Sequence, residues 1–440
     1  MRKPLTLKAA LGAFLALVFS TVAVAQENSP AQSFAQDYTP VKTRIGDIRS
    51  LLDGDTIEND VFNANFLNAV PPAQFRGFTR QMREQHGPVE KVEIEQLLSP
   101  HAARLRIVFR DSIASGLIDV EPAPPHFVAG LRITGFQSRG GSLTETSSQI
   151  AALPGQQGLL IKRLNGDAET LVELNADDRF SIASTFKLYI LAELDKSVRS
   201  GERKWTDVVA LGPKSHPSGI SQDWPDASPV TLHTLATLMI SRSDNSATDT
   251  LIRVIGQEKL ADIVRATGHR QPDWISPMLM TRQSSALKMP QHRAARESFE
   301  TSGASARADL LRQKDSELKL SDIDPVRLTS KPGYIDTIGW FASPADIVNL
   351  LDWIRLNASP ETRAILAINP GIDPAIAGLH SYLGYKGGSE AGVMSMNFLI
   401  KSRSGDDYAV SSHWNNSADP LNEARFVALM TRVVNLLATR

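Results

Sequence analysis

The sequence predicts a two-domain protein, with a small α+β domain followed by a larger α/β domain that combines an α-helical region with an antiparallel sheet. At 440 residues the chain exceeds the usual size of one hydrophobic core. Alternation of apolar and polar residues, which is typical of half-buried strands, occurs early, within residues 92–133. Later in the chain, strands come before and after a run of helices. One sheet must therefore collect its strands from both ends of the second domain.

The first domain is predicted over residues 26–136. A helical pattern places Phe75, Phe78 and Met82 on one face and stops at Gly87-Pro88. Alternating segments at 92–94, 104–110 and 131–133 then predict antiparallel strands. Residues 138–148 are rich in Gly, Ser and Thr, so we expect a flexible linker over 137–152.

The second domain is predicted over residues 153–440. The turn Asn165-Gly166 lies between apolar segments around Leu160 and Leu171 and predicts a hairpin. Short strands are expected again at 398–400 and 408–411. The closing helix has one apolar face, formed by Phe426, Met430, Val433, Val434 and Leu437.

The first 25 residues have the pattern of a signal peptide. Arg2, Lys3 and Lys8 precede an apolar run over 9–24, and Ala23 and Ala25 form an A-x-A cleavage site. The run is shorter than the roughly 20 residues of a membrane-spanning helix. We therefore expect cleavage before Gln26, a secreted or periplasmic protein, and no stable membrane span afterwards.

Composition excludes several classes of function. Apolar residues make up 42% of the chain and charged residues 22%. Because the net charge is −1, we do not expect the protein to bind nucleic acid. There is no cysteine, which excludes disulfides, thiolate metal sites and a cysteine nucleophile. The nine histidines contain no H-E-x-x-H pattern, and no G-x-S-x-G elbow is present. We expect neither a metal nor a cofactor.

A Ser-x-x-Lys motif, Ser184 to Lys187, comes just before the apolar run 188–191. On a helix these positions share a face, so the amine can reach the hydroxyl. A lysine can take a serine proton only if its pKa is lowered. Two other matches, at 285–288 and 316–319, lie in a polar region without a following apolar helix. Taken alone, Ser184 fits a helix N-cap better than a nucleophile.

Two further motifs follow in the chain. Ser243-Asp244-Asn245 occurs once, between helical runs, where these residue types also favour caps and turns. Lys386-Gly387-Gly388-Ser389 precedes the strand at 398. Ser-x-x-Lys, Ser-Asp-Asn and Lys-Thr-Gly, in this order, are the signature of class A β-lactamases and penicillin-binding proteins. From about Gly158 to its end, the chain resembles this β-lactamase and transpeptidase-like family.

The resemblance implies roles for the matching residues. Ser184 is expected to be the acylated nucleophile, Lys187 its base and Ser243 the hydroxyl that relays a proton to the leaving group. Asn245 would bind the substrate amide and Lys386 its carboxylate. The backbone N–H groups of Ser184 and Ser389 would then form the oxyanion hole.

The sequence departs from this family at three places. Gly387 replaces the hydroxyl residue of Lys-Thr-Gly, so one hydrogen bond to a substrate carboxylate is lost unless Ser389 supplies it. A polar insertion is expected over about 281–325. The family's Glu-x-x-Leu-Asn segment, whose glutamate activates the deacylating water, is not found, and Glu297, Glu300 and Glu317 lack its context. Slow turnover on lactams is therefore expected.

The N-terminal domain resembles the cystatin or NTF2-type module found in two-domain serine hydrolases related to a clavulanic-acid-pathway protein. The expected function is hydrolysis of a β-lactam or a related ester or amide through a Ser184 acyl-enzyme. Two alternatives stay open: a D-Ala-D-Ala peptidase or esterase, and a binder of cell-wall or lactam ligands that is acylated but does not turn over.

Overall fold

The computed structural model describes residues 40–55, 57–438 and 440, which form two compact units divided at Gly140–Gly141. The signal peptide expected over 1–25 lies outside the described residues. In the described part of the chain, no helix is both long and apolar enough to cross a membrane.

Within its described residues, the first unit contains three α-helices and a four-stranded antiparallel sheet in the order β1-β2-β3-β4. Its elements are α1 (Pro40–Asp53), α2 (Ala64–Ala69), α3 (Pro72–His86), β1 (Val89–Ser99), β2 (Ala102–Phe109), β3 (Ser112–Val120) and β4 (Val128–Ser138). The helix at 72–86 and the strands at 92–94, 104–109 and 131–133 agree with the sequence pattern. The sequence did not predict α1, α2 or β3. The relation to cystatin or NTF2-type domains stays a prediction.

The core of the first unit shows why these elements form. Residues on one side of α1, among them Val41 and Ile48, are fully buried against alternate residues of the sheet such as Leu105 and Ile107. Phe62 stacks on Phe66 with 4.0 Å between ring centroids. Burial of apolar surface on one face of a sheet is what keeps such a small unit folded.

The second unit begins with a helix where the sequence predicted a linker. Helix α4 (Leu143–Ala151) occupies most of 137–152, and the division between units falls at Gly140–Gly141. The Ser142 side chain accepts a hydrogen bond from the Glu145 amide, which is an N-cap. Leu143 and Ile150 are buried in the core of this unit. The Ser and Thr residues of this segment form the N-cap and part of the surface of a helix. Composition alone cannot distinguish such a helix from a linker.

The main sheet of the second unit has five antiparallel strands in the order β11-β12-β13-β5-β6, so its strands do come from both ends of the unit. The strands of the unit are β5 (Gln156–Arg163), β6 (Glu169–Leu174), β7 (Phe180–Ser181), β8 (Val208–Ala210), β9 (Pro229–Thr231), β10 (Phe341–Ala342), β11 (Tyr382–Glu390), β12 (Val393–Lys401) and β13 (Asp407–Asn415). The hairpin expected at Asn165-Gly166 is the β5–β6 connection.

The remaining helices are α5 (Lys187–Arg199), α6 (Leu232–Ser241), α7 (Asn245–Ile255), α8 (Gln257–Ala266), α9 (Thr281–Leu287), α10 (Arg293–Thr301), α11 (Ala304–Lys314), α12 (Pro325–Ser330), α13 (Pro344–Asn357), α14 (Pro360–Leu366), α15 (Pro374–Ala377) and α16 (Glu423–Leu437). The apolar face predicted for the last helix is buried, as expected. Helix α5 lies at the centre of the helical core, with ten of its 13 residues buried. The segment expected to be a polar insertion contains α9, α10 and α11.

Candidate active site

Ser184 lies where a short strand turns into the central helix of the second unit. Strand β7 is followed by a 3-10 turn, Ala183–Phe186, which leads directly into α5. Ala183 has φ +41°, a conformation that costs free energy for a residue with a side chain and is found preferentially at functional sites. Positions i and i+3 of a 3-10 turn are eclipsed, so Ser184 and Lys187 lie on one face. Ser184 is half-buried, whereas Lys187 is fully buried.

The Lys187 ammonium group is held by the Ser-Asp-Asn motif. Its Nζ donates to the Ser243 carbonyl at 2.6 Å, the Ser243 hydroxyl at 3.1 Å and Asn245 Oδ1 at 2.8 Å. Burial lowers the pKa of Lys187 well below 10.5, and the nearby Lys386 lowers it further. Asp249 and Asp244 act in the opposite direction. The amine is therefore easier to deprotonate than an exposed lysine, as a general base requires.

Ser243 occupies a strained position between α6 and α7, with φ +53°. The next residue, Asp244, holds this turn: its carboxylate caps α7 at the Ala247 amide. The same carboxylate accepts hydrogen bonds from the Ile220 amide and from the amide and hydroxyl of Ser221. Asp244 therefore fixes the direction in which Ser243 and Asn245 point.

Lys386 enters the same cluster from the edge strand β11. Its Nζ donates to Ser243 Oγ at 3.1 Å and to the Gly387 carbonyl at 2.5 Å. Burial lowers the pKa of Lys386 to about 7. Since Ser243 Oγ accepts from both lysines, its two lone pairs are used and its own proton is free to be donated. This is the arrangement that a proton relay needs.

The oxyanion hole expected from the sequence requires β11 to pass close to the start of α5. A Cβ atom at Gly388 would lie 2.5 Å from Ser184 N and 2.3 Å from Ile182 O, so only glycine permits this approach. Because β11 is an edge strand, part of its N–H groups is not used by the sheet. Ser389 is exposed on this strand, one residue beyond the contact.

The structure thus brings Lys187, Ser243, Asn245 and Lys386 together by hydrogen bonds. Ser184 joins them through its position one turn before Lys187, but its hydroxyl makes no hydrogen bond within the described residues. The other two Ser-x-x-Lys matches do not form sites. Lys288 is ion-paired with Glu390, and the pair at 316–319 is exposed at both ends.

None of the three candidate glutamates belongs to this cluster. Glu297 is exposed and pairs with Arg293. Glu300 accepts a hydrogen bond from Thr337 at 2.6 Å, and Glu317 pairs with Lys314 on the surface. Each of these side chains therefore has a partner outside the cluster.

Asp249 is the carboxylate nearest the cluster along α7, one helical turn after Asn245. Its oxygens accept hydrogen bonds from the Thr281 amide at 2.6 Å, the Thr281 hydroxyl at 2.8 Å and the Arg282 amide at 3.1 Å. The side chain is 2% exposed, and burial raises its pKa. Asp249 therefore anchors the start of α9 through three hydrogen bonds.

Sequence reasoning missed a buried polar network behind the cluster. The Ser411 hydroxyl donates to Asn397 Oδ1 at 2.8 Å, so it must accept from His413 Nε2, 3.1 Å away. His413 Nδ1 then accepts from the Ser395 hydroxyl at 2.8 Å, and Ser395 Oγ lies 2.9 Å from Thr185 Oγ1. One nitrogen of the His413 ring donates and the other accepts, so the imidazole is neutral. Burial accordingly lowers the pKa of His413 to about 3.

This network connects the backbone of β11 with the residue next to Ser184. Asn397 Nδ2 donates to the Lys386 carbonyl at 3.1 Å and to Thr185 Oγ1 at 3.0 Å. Its signal in the sequence is the alternation of Ser395 and Asn397 with large apolar residues. Polar side chains inside central strands are buried only when they are hydrogen-bonded, so such a pattern indicates a network.

Comparison with known proteins gives a family match for part of the second unit. Residues 143–336, less than half of the chain, match the Beta-lactamase enzyme family. This match and the observed architecture give the second unit a serine β-lactamase-like fold. The comparison with curated proteins found no match.

Several solved structures are similar to this chain over nearly their whole length. A β-lactamase from Sphaerobacter thermophilus DSM 20745 is 22% identical with a TM-score of 0.46, covering 68% of this chain and 96% of that one. PBP-A is 17% identical with a TM-score of 0.46, covering 67% and 94%. A β-lactamase from Chitinophaga pinensis DSM 2588 is 18% identical with a TM-score of 0.44, covering 67% and 97%.

Proposed function

We propose that this protein is an exported acyl-serine hydrolase of the class A β-lactamase type, which opens a β-lactam or a related ester or amide through an acyl-enzyme on Ser184. The observation that carries the proposal is the cluster in which Lys187 and Lys386 both donate to Ser243 Oγ. Lys187 follows Ser184 by one turn of the chain. Export rests on the signal-peptide pattern of residues 1–25.

Acylation begins with the neutral form of Lys187. Its amine can still donate to the Ser243 carbonyl and to Asn245 Oδ1, while its lone pair accepts the proton of Ser184. Ser184 Oγ then forms a bond to the substrate carbonyl carbon. The carbonyl oxygen becomes an oxyanion, for which the N–H groups of Ser184 and Ser389 are the expected donors.

Collapse of this intermediate breaks the C–N or C–O bond of the substrate. The leaving atom takes the free proton of Ser243, and Ser243 regains a proton from Lys187, to which it is hydrogen-bonded. Lys187 is then neutral again, so the protons balance. The product of this half-reaction is an ester between Ser184 and the substrate acyl group, which water must cleave.

A second candidate function is binding with covalent capture. It is favoured by the positions of the carboxylates. Glu297, Glu300 and Glu317 have partners outside the cluster, and Asp249 is engaged by three hydrogen bonds at the start of α9. Without a positioned base, an acyl-enzyme would persist, and the protein would act as an acylable binder of lactams or cell-wall fragments.

Intact-protein mass spectrometry after exposure to a penicillin, a cephalosporin and a simple ester tests both candidates. The proposed hydrolase gains the mass of the acyl group on Ser184 and loses it again over time. A binder keeps the adduct. Absence of any adduct and of any substrate loss with all three compounds would contradict acyl-serine chemistry.

A further inference from the structure

Tyr385 fills the space that a side chain at residue 387 would occupy. A Cβ atom built on Gly387 would lie 2.0 Å from the Tyr385 hydroxyl oxygen. The ring is held on its other sides by Phe398, 4.9 Å away between centroids, and by Gly371, whose Cβ would lie 2.1 Å from Cε1. Gly371 has φ +66°, so both its conformation and this contact require glycine. The tyrosine is thus seated in a fitted slot.

The Tyr385 hydroxyl belongs to a row of positions on one face of β11. Successive side chains of a strand point to opposite faces, so residues 385, 387 and 389 share a face. Ser389 is exposed on this row and Tyr385 is half-buried. Two hydroxyl groups therefore flank a position without a side chain, on the edge strand that carries Lys386.

The Tyr385 hydroxyl makes no hydrogen bond to any residue that the structure describes. Burial raises the pKa of Tyr385 well above 10, so the hydroxyl keeps its proton throughout the physiological range. A hydroxyl that stays protonated is available as a hydrogen-bond donor. Its fitted slot also means that little side-chain entropy is lost when it binds a ligand.

We propose that the Tyr385 hydroxyl donates a hydrogen bond to the carboxylate of the substrate and replaces the hydroxyl that Gly387 lacks. This inference rests on the proposed acyl-serine function and makes Tyr385 a specificity-determining residue for anionic substrates. The Lys386 side chain leaves the opposite face of β11, but its Nζ reaches the Gly387 carbonyl at 2.5 Å and so brings positive charge next to residue 387. Ser389 is the second hydroxyl of the row. Carboxylates are recognised by such combinations of a cation and neutral donors.

A matched pair of probes separates this role from a structural one. Benzylpenicillin carries a carboxylate, whereas benzylpenicillin methyl ester differs only in that this group is masked. The second-order acylation rate constant is measured for both with the full chain by stopped-flow or by mass spectrometry. Removing one hydrogen bond to a charged group should slow the Tyr385→Phe variant about 10- to 100-fold with the acid. With the methyl ester its rate should stay close to that of the wild type.

Tyr382→Phe is the matched control, because it makes the same change on the same strand. The Tyr382 hydroxyl donates to the Arg363 carbonyl at 3.0 Å and lies outside the row. This control should change neither rate. If Tyr385→Phe is slowed equally with both probes, the change has a structural effect. If its rates with both probes are unchanged, the hydroxyl does not contribute to substrate binding. Either result overturns the inference.

A relocated hydroxyl gives an independent test. In Tyr385→Leu combined with Gly387→Thr, the ring no longer blocks residue 387 and a threonine hydroxyl takes its place. We expect this double variant to prefer the acid over the methyl ester more strongly than Tyr385→Leu alone does. Equal preference in both variants would overturn the inference even if Tyr385→Phe folds poorly. If the wild type is acylated by neither probe, the proposed function fails first, and the role of Tyr385 fails with it.

Discussion

Lys187 and Lys386 donate to the same oxygen, Ser243 Oγ, each at 3.1 Å. Two ammonium groups this close repel each other, and the charge of Lys386 lowers the pKa of Lys187 in addition to the effect of burial. Lys386 itself has its pKa lowered to about 7 by burial. The pair therefore favours a state in which one amine is neutral, and a neutral amine can accept the serine proton.

Replacing Ser184 by alanine should abolish acylation by every lactam and ester, because the attacking oxygen is removed and little else changes. Intact-mass measurement after incubation with a penicillin is the readout. Ser285→Ala, in the second Ser-x-x-Lys match, is the control. It should be acylated at the wild-type rate, since Lys288 is ion-paired with Glu390. A persistent adduct on Ser184→Ala would show that another residue is the nucleophile.

The Lys187→Ala variant should be acylated about 10²- to 10⁴-fold more slowly, which is the usual loss when a general base is removed. Lys187 is fully buried with three hydrogen-bond acceptors, so thermal unfolding must be measured on the same sample. A folded variant with an unchanged acylation rate would transfer the role of base to Ser243 or Lys386.

The charge of Lys386 should make recognition of carboxylate substrates depend on pH. Its pKa is about 7, so it is charged below this pH and neutral above it. The ratio of acylation rates for benzylpenicillin and its methyl ester should fall as the pH rises from about 6 to 8.5, because the neutral amine no longer attracts the carboxylate. The ratio also removes the contribution of Lys187, which is common to both probes.

Lys386→Arg is the comparison for this pH effect, since an arginine stays charged throughout the range. In this variant the ratio of the acylation rates for benzylpenicillin and its methyl ester should not change with pH. If wild type and variant show parallel profiles, then the titration of Lys386 does not control carboxylate binding.

Deacylation should be slower than acylation. Pre-steady-state traces with a chromogenic cephalosporin should show a burst close to one equivalent per enzyme, followed by a slow phase, because Glu297, Glu300 and Glu317 all have partners outside the cluster. Glu297→Gln, Glu300→Gln and Glu317→Gln should each leave both phases unchanged. Loss of the slow phase with a preserved burst in any of the three would identify a deacylating glutamate.

His413 should make folding stability depend on pH. Its pKa is about 3 in the folded state and about 6.5 when unfolded, so below pH 6.5 the unfolded chain binds the extra proton. The free energy of unfolding should therefore decrease as the pH falls from about 6.5 to 4, by up to about 1.4 kcal/mol per pH unit from this residue.

The variant for this measurement is His413→Gln, whose amide can donate and accept but does not titrate. Its free energy of unfolding, measured in urea, should depend less on pH than that of the wild type. An identical slope for His413→Gln and wild type would contradict a buried neutral histidine.

Local patterns were sufficient for part of the site. The distance from Ser184 to Lys187 follows from the geometry of one helical turn, and the order of the three motifs indicates the chemistry. Phe426, Met430 and Val433 identify the buried face of the last helix because their period is that of a helix. These relationships depend on neighbours in the chain, which is why the sequence alone could establish them.

Other relationships exist only after folding. Lys386 meets Ser243 across 143 residues, and Tyr385 covers Gly387 because Gly371 and Phe398 hold its ring. Local periodicity carries no information on such distances. The same is true of α4, where Ser and Thr suit a linker and a capped helix equally well until burial of Leu143 and Ile150 selects the helix. The sequence by itself determined which groups are candidates for the chemistry, and tertiary packing decided which of them are hydrogen-bonded to one another, because pKa values and close contacts depend on burial.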